Sequence, residues 1–566
     1  MRKFLGILLA VVLCLSSVSA LAAYNDHTDY SQFPLVKDGE SMTITVAHRR
    51  SEKYGKDPED TWFWVWSEQV TGIDFEVDQI LTSAAEERKS LMFASGDLPD
   101  LIMGGVTLTT SELVRYGMSD GLLLDLTPYI TPEIMPNLCK WVEEYPIGLA
   151  YCTTPDGKIY SLPGYQDIYI NADANPAMMI NEVWAEEAGL DANPLTLDKF
   201  TELLYKFKEL HPDGYVLAGG EKHADPREFL KNAFGYLITT STSTVDPALR
   251  NGEVVIPAYD DTYVEYLKLM HQYYVDGIIS PEFFTIEQTT NFAKLAEDSV
   301  GAYSGNVYFG IPEYEDYSKW VRITPLTSEY NDTPMSYIPN KYKYGGCMLS
   351  ADVAPEKIEV ILRYLDFFYS DLGGMYLWCG PAAGSADLIG MMGGYKTDDK
   401  GAAIWYDADG NQVDSQAVME GDCAGLASCF GNRSHPLNKE LFDQGVTNRP
   451  EMRTYYYSNG ENIVPYTYDP MFGHGYTAIS VEANVLPYAT NGYPFVTYYD
   501  EDTTLEITDL VSMLDPYVQA EEAKFITGVR DFSEFPKFQE ELKNMGIETL
   551  LGYYTETYAS YLESMN

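Results

Sequence analysis

The chain has 566 residues, 37 of them basic and 85 acidic, for a formal net charge of −48. A field of that sign repels nucleic acid and anionic lipid, which excludes both as partners, and it argues against a phosphate-rich ligand unless a local basic pocket exists. Seven cysteines without a CxxC pair or a cysteine–histidine cluster at zinc spacing exclude a disulfide-dense scaffold and a zinc ribbon.

The N-terminus reads as an export signal over residues 1–22. Arg2 and Lys3 precede the apolar run Phe4–Leu15, and Ala20-Leu21-Ala22 supplies a small-x-small cleavage site. The apolar run is short for a bilayer, and no later stretch reaches the roughly 18–20 residues a membrane helix needs. Cys14 raises the alternative of a lipid-anchored leader, but Leu13 stands where a small residue is wanted. The expectation is cleavage after Ala22 and a secreted or cell-surface-associated protein, with lipidation of Cys14 left open. About 540 residues then remain, enough for two large lobes or two to four domains by the usual size prior.

Ser41–Ala47 alternates and is β-branched, as a first strand should be. A helix carrying Trp62, Trp64 and Trp66 follows, then a strand at Ile73–Val77, a helix at Ser83–Phe93, a Gly96-Asp97 turn and a strand at Leu101–Met103. Strand, helix, strand, helix, strand is the grammar of a mostly parallel α/β sheet. Three later helices carry core stripes: Phe200, Leu203, Leu204 and Phe207 behind a Thr196 cap; Tyr263, Tyr266, Leu267, Met270 and Tyr274 ahead of Gly277; and Ile358, Ile361, Leu362, Leu365 and Tyr369 ahead of Gly373-Gly374. Asp156-Gly157, Asn251-Gly252 and Asp409-Gly410 sit between strand-like stretches and predict hairpins. Asp407–Asp414 resembles the start of a calcium loop but lacks its ligand alternation and terminal glutamate, which favours the hairpin. Cys139 and Cys152, or Cys423 and Cys429, are spaced so that bridges can form; buried thiols are the alternative. From Ile507 onward the chain is helical again, with Phe538, Leu542 and Met545 on one side.

Six segments, in this order, carry a resemblance: SGDLPDLI at 95–102, DGKIYSLPG at 156–164, Asn181–Trp184 leading to PLTLDKF at 194–200, DGIISPEFF at 276–284, GAYSGN at 301–306 and KFITGVRDFSEF at 524–535. Together they resemble the family 1 extracellular solute-binding proteins of ABC importers, in the branch associated with oligosaccharide uptake in Gram-positive bacteria. The resemblance implies an α/β, two-lobed, periplasmic-binding-protein-like fold of type II, whose discontinuous lobes are joined by a hinge and close on a solute. It places 41–165 plus about 340–375 in the N-terminal lobe and 168–325 plus much of 376–566 in the C-terminal lobe, with crossovers near 160–170 and 324–346. It implies a monomeric receptor with an ABC permease as partner, no cofactor, no metal and no enzymatic activity.

A hydroxyl-rich ligand is held by flat aromatic faces and convergent hydrogen-bonding groups, and candidates lie in loops at strand ends. Arg49 and Arg50 follow the first strand; each is either ligand-directed or paired with a carboxylate, and Arg50 is taken as the candidate. Trp64 is the member of the tryptophan trio placed at the ligand, and Asp97 follows the glycine of the SGDLPD turn. Tyr303, Asn306 and Tyr308 lie in and beyond GAYSGN. Trp378 sits beside Cys379-Gly380-Pro381, read as a loop, and Asp469 lies in an acidic-aromatic loop with Tyr468 and Phe472. The alternatives are a secreted carbohydrate-active hydrolase, for which 85 acidic residues make carboxylate pairs uninformative, a surface adhesion module, and a surface binding protein for peptides. No HExxH occurs.

Overall fold

The structure, a computed structural model, describes residues 33–37, 39–166, 178–220, 224–239, 243–307, 310–311, 314–337, 342–343, 346–397, 403–414, 417–426, 429–432, 454–455, 467–468, 480–481, 483–494 and 496–564. The leader with Cys14 lies outside them, as do Tyr308, Asp469 and Phe472. Contacts divide the chain into two compact units. Unit 1 comprises Met1–Ile168, Lys341–Pro465 and Val496–Glu501, and unit 2 comprises Tyr169–Asn340, Tyr466–Phe495 and Asp502–Asn566.

The chain opens with β1 (Met42–Arg50), α1 (Trp62–Thr71), β2 (Ile73–Leu81), α2 (Ala85–Ser95), β3 (Leu101–Met103) and α3 (Pro136–Glu144). It continues with β4 (Met179–Asn181), α4 (Glu182–Ala188), α5 (Leu197–Leu210), β5 (Tyr215–Ala218), α6 (Pro226–Asn232), α7 (Tyr263–Val275), α8 (Gln288–Ala296), β6 (Val300–Tyr303) and β7 (Trp320–Arg322). The return to unit 1 brings β8 (Met348–Leu349), α9 (Pro355–Phe367), α10 (Asp371–Cys379) and the hairpin of β9 (Met392–Thr397) and β10 (Ala403–Asp407). Three helices end the chain: α11 (Glu501–Ile526), α12 (Phe535–Asn544) and α13 (Ile547–Ser564).

In unit 1 the sheet order is β8-β3-β1-β2, with β1 parallel to both β2 and β3 and β8 antiparallel to β3. Asp100, just before β3, fixes that strand against β1. Its carboxylate accepts from the Thr45 backbone N–H at 3.0 Å, the Thr45 hydroxyl at 3.1 Å and Lys357 Nζ at 2.8 Å. Helix α1 is buried on more than one face. Trp62 and Trp66 stack at 5.3 Å and Trp62 donates to the Asp387 carbonyl at 2.7 Å, while Trp64 turns to Phe75 and His48. The α9 stripe is core as expected, but Gly373-Gly374 does not stop it. Helix α9 ends at Phe367, Ser370 caps α10 by accepting from Gly373 N–H at 3.0 Å, and the glycines lie inside α10.

The lobe assignment of the later segments is corrected. The sequence reading places much of 376–566 in the second lobe, whereas Lys341–Pro465 belongs to unit 1. The reason is apolar burial: Met392, Tyr395, Trp405, Cys423 and Phe430 all enter the unit 1 core.

In unit 2 the sheet order is β7-β4-β6-β5, with β6 parallel to β5 and antiparallel to β4. Thr196 accepts from Lys199 N–H at 3.3 Å, the cap its spacing predicts, and Phe200, Leu203, Leu204 and Phe207 are buried. On α7 the buried ring near the end is Tyr273 in place of the expected Tyr274. The Asn251-Gly252 hairpin forms with both turn residues at positive φ, +54° and +82°, the conformation that makes this dipeptide favourable. The second half of α11 carries Leu514, Val518, Phe525 and Ile526 into the unit 2 core, together with Phe538 and Leu542 of α12.

Candidate functional site

In open α/β sheets ligands bind beyond the carboxyl ends of the parallel strands. Each unit has such an edge, and the two differ in chemistry. In unit 1, β1 ends in His48-Arg49-Arg50, and β3 is followed by Gly104-Gly105. His48 is buried; its Nε2 lies 2.5 Å from the Ala424 carbonyl oxygen, its Nδ1 has no partner, and burial pushes its pKa down to about 4. Its ring meets Trp64 at 5.8 Å edge-on. Trp64 is 2% exposed, and its indole N–H has no partner. As a candidate Trp64 therefore sits in the core, because α1 is covered on the side this residue faces.

Two adjacent arginines have different fates. Arg50 donates to Asp57 at 2.6 Å, to Gln79 at 3.0 Å and to the Gly55 carbonyl at 3.1 Å, so its fork is engaged within its own unit. Arg49 is exposed and forms no side-chain hydrogen bond or ion pair among the described residues. Its backbone N–H donates to Gly104 O at 3.1 Å, and its guanidinium lies against Gly105, where a Cβ would stand 2.6 Å from Nε. Gly104 makes the matching allowance for His48, with a Cβ there only 2.3 Å from the imidazole. Both glycines have positive φ, +66° and +87°, so any side chain at this pair meets strain as well as collision. Asp97 is exposed on its turn, with its backbone N–H donating to Ser95 Oγ at 3.3 Å. The acidic group with a structural role in that motif is Asp100.

In unit 2, β5 and β6 end side by side. Tyr303 is 2% exposed in a satellite cluster with Met179, Val307 and Trp320, and its ring covers Gly305. Asn306 is 8% exposed, and its amide oxygen has no partner. Asn291 of α8 is fully buried with neither amide atom partnered. Buried amides without partners are uncommon and call for a polar occupant such as water or a ligand hydroxyl. The sequence reading did not select Asn291, because an isolated asparagine on an amphipathic helix gives no signal of its own.

Near the end of β5 the charge in unit 2 is buried. Next to the β5 end, Ala224 contacts Gly219 and Gly305, and Asp225 caps α6. Arg227 binds Asp225 at 2.5 Å and Glu522 of α11 at 3.0 Å, and Tyr263 donates to Glu522. Burial works to raise the Glu522 pKa, yet Arg227 and Lys231 hold it below the usual carboxylate value.

Trp378 is on α10 and not in a loop; the helix runs to Cys379, with Gly380 as its cap. The loop expectation came from Gly380-Pro381, which only marks the end of the helix. Tyr468 belongs to a two-residue strand, Thr467–Tyr468. Asp407 accepts from Asn411 N–H at 2.8 Å across a hairpin turn. Among the described residues no group of three or more His, Cys, Asp or Glu side chains is placed to hold a metal ion. Cys139, Cys152, Cys347, Cys423 and Cys429 are buried, and burial pushes Cys152 up to about 12. No helix among the described residues is long and apolar enough to cross a membrane.

Comparison with known proteins adds the following. The model of a family described as bacterial extracellular solute-binding protein matches residues 52–371. A curated relative, the fructooligosaccharide ABC transporter substrate-binding protein FusA of Streptococcus pneumoniae, is 28% identical over 322 residues, 53% of this chain and 58% of that protein. The chain therefore matches little more than half the length of this relative. The solved structure of S. pneumoniae FusA in complex with kestose superposes with a TM-score of 0.66 at 19% identity, covering 92% of this chain and all of that one. An HMO-binding, ABC-transporter-associated solute-binding protein from Bifidobacterium longum infantis gives 0.70 at 16% identity, covering 93% and 99%. At these identities the structural likeness establishes the fold, which is the α/β solute-binding fold the six motifs imply.

Proposed function

Because the chain belongs to the bacterial extracellular solute-binding proteins, we propose that it is the exported receptor of an ABC importer, capturing an oligosaccharide and passing it unchanged to a membrane permease. The observation that carries the reading is the family match over 52–371, a span that begins in unit 1, runs through Tyr169–Asn340 of unit 2 and returns to unit 1. The relatives named for fructooligosaccharide, kestose and HMO binding support a saccharide as the solute. The strand-end residues suit such a ligand: Arg49 offers donors, and Asn306 offers an unpartnered amide oxygen. Closure of the two units on the solute is part of the proposal. So is action outside the cytoplasmic membrane, which the leader supports.

A thermal-shift screen over oligosaccharides and short peptides tests it. The expected result is stabilisation by one or a few related saccharides, growing with ligand concentration as binding linkage requires, with the saccharide recovered intact. Stabilisation by peptides alone, or release of shorter sugars, overturns the reading.

A further inference from the structure

We propose that Arg49 is a specificity-determining residue and that the captured saccharide carries one carboxylate, such as a terminal uronic or sialic acid unit. This rests on the receptor reading above and narrows it. Positive charge is scarce: with 85 acidic and 37 basic side chains, arginines in this protein readily find a carboxylate. Seven other described arginines are ion-paired, from the exposed Arg88–Asp78 pair at 2.8 Å to the buried Arg530–Glu521 pair at 2.5 Å. Arg49 is not, although it lies beside Arg50 at the carboxyl end of β1.

Asp57 pairs with Arg50. His48 is held neutral by burial. Lys53 lies on the Tyr54 ring, 4.5 Å from its centre, and the Glu52 carboxylate accepts from the Ser83 backbone N–H at 2.6 Å. The exposed Arg49 guanidinium at the end of β1 therefore lies against Gly105 with no hydrogen-bonded counter-ion among the described residues, and Glu52 is the nearby carboxylate whose charge acts on it. A guanidinium has only donors, arranged as a planar fork that matches a carboxylate with two parallel hydrogen bonds, whereas sugar hydroxyls donate as well as accept. The negative field of the whole molecule repels polyanions, so one arginine admits one charge and not several.

Calorimetric titration of the full mature chain with matched pairs tests this: aldotetraouronic acid against xylotriose, and 3′-sialyllactose against lactose. The two acids distinguish a uronate from a sialate as the source of the carboxylate. At least one acid is expected to bind tenfold or more tightly than its neutral counterpart. That preference should shrink in high salt and disappear in Arg49→Gln, whose melting temperature stays that of the parent, and Arg49→Lys should keep part of it. Neutral saccharides binding as well as the acids overturn the inference and leave the receptor reading standing, as does an acid preference that survives Arg49→Gln. Failure of every saccharide, acid or neutral, overturns both.

Discussion

The strand ends of the two units handle charge in opposite ways. Unit 1 places one arginine outside, unpaired, on a glycine shelf. Unit 2 buries Asp225, Arg227 and Glu522 together near its strand ends, where the buried amides of Asn306 and Asn291 have unpartnered atoms. The same residue type is thus exposed without a hydrogen-bonded carboxylate in one unit and built into a buried ion-pair network in the other. Asp57 takes Arg50, and among the described residues no acid forms an ion pair with Arg49, Glu52 acting on it only through its charge.

The largest expected effect is on the architectural side. Arg227→Met leaves Asp225 and Glu522 buried without the cation that is hydrogen-bonded to both and is expected to cost about 3–5 kcal/mol in urea unfolding, as breaking a buried pair generally does. Arg49→Gln, at an exposed unpaired site, is expected to stay within about 0.5 kcal/mol. Equal costs for the two would remove the contrast.

Next comes pH. His48 titrates near 4 when folded against 6.5 in the unfolded chain, so its stabilisation is complete above 6.5 and is lost as pH falls toward 4. Between pH 7 and pH 5 this amounts to about 2 kcal/mol by linkage. Asp366 has the reverse sense. Burial pushes it up to about 7, against the Asn137 and Leu138 N–H groups that it caps. It binds protons when folded that it lacks when unfolded, and so gains about 2 kcal/mol over the same interval. Stability in unit 1 should therefore change little from pH 7 to 5. His48→Gln should gain on acidification, and Asp366→Asn should lose. A parent and two variants with parallel pH profiles would contradict both assignments.

Smaller effects sharpen the site itself. Gly105→Ala collides with Arg49 and forces a side chain to φ +87°. It is expected to cost about 1–2 kcal/mol of stability and to lower affinity for the acidic probe about as much as Arg49→Gln does. Arg50→Gln should be the mildest, removing a part-exposed pair worth up to about 1 kcal/mol while leaving the acid preference intact. Loss of that preference in Arg50→Gln would exchange the roles of the two residues.

Much of this fold is legible from local pattern. Alternation places β1, and the Thr196 and Asn251-Gly252 signals place a helix start and a hairpin, because those features depend on neighbours within a few residues. The long-range choices are not legible in that way. Whether Arg49 or Arg50 stays free depends on Asp57 and on Gly105, which lies more than fifty residues further along. Trp64 is taken from the sequence as a ligand candidate, but its face of the helix is covered by Phe75 and His48. The hairpin of β9 and β10 is apolar enough for either core, and only its packing assigns it to unit 1. The Gly-Gly pair directly after β3 was the available clue to Arg49, since two glycines at a strand end permit close approach by a neighbouring side chain.

The most direct test of the receptor claim is calorimetric titration of the mature chain with oligosaccharides, with chromatography of the recovered sugar. The account predicts saturable binding of one saccharide per chain, returned unaltered. Absence of saccharide binding, or recovery of shorter products, would contradict it.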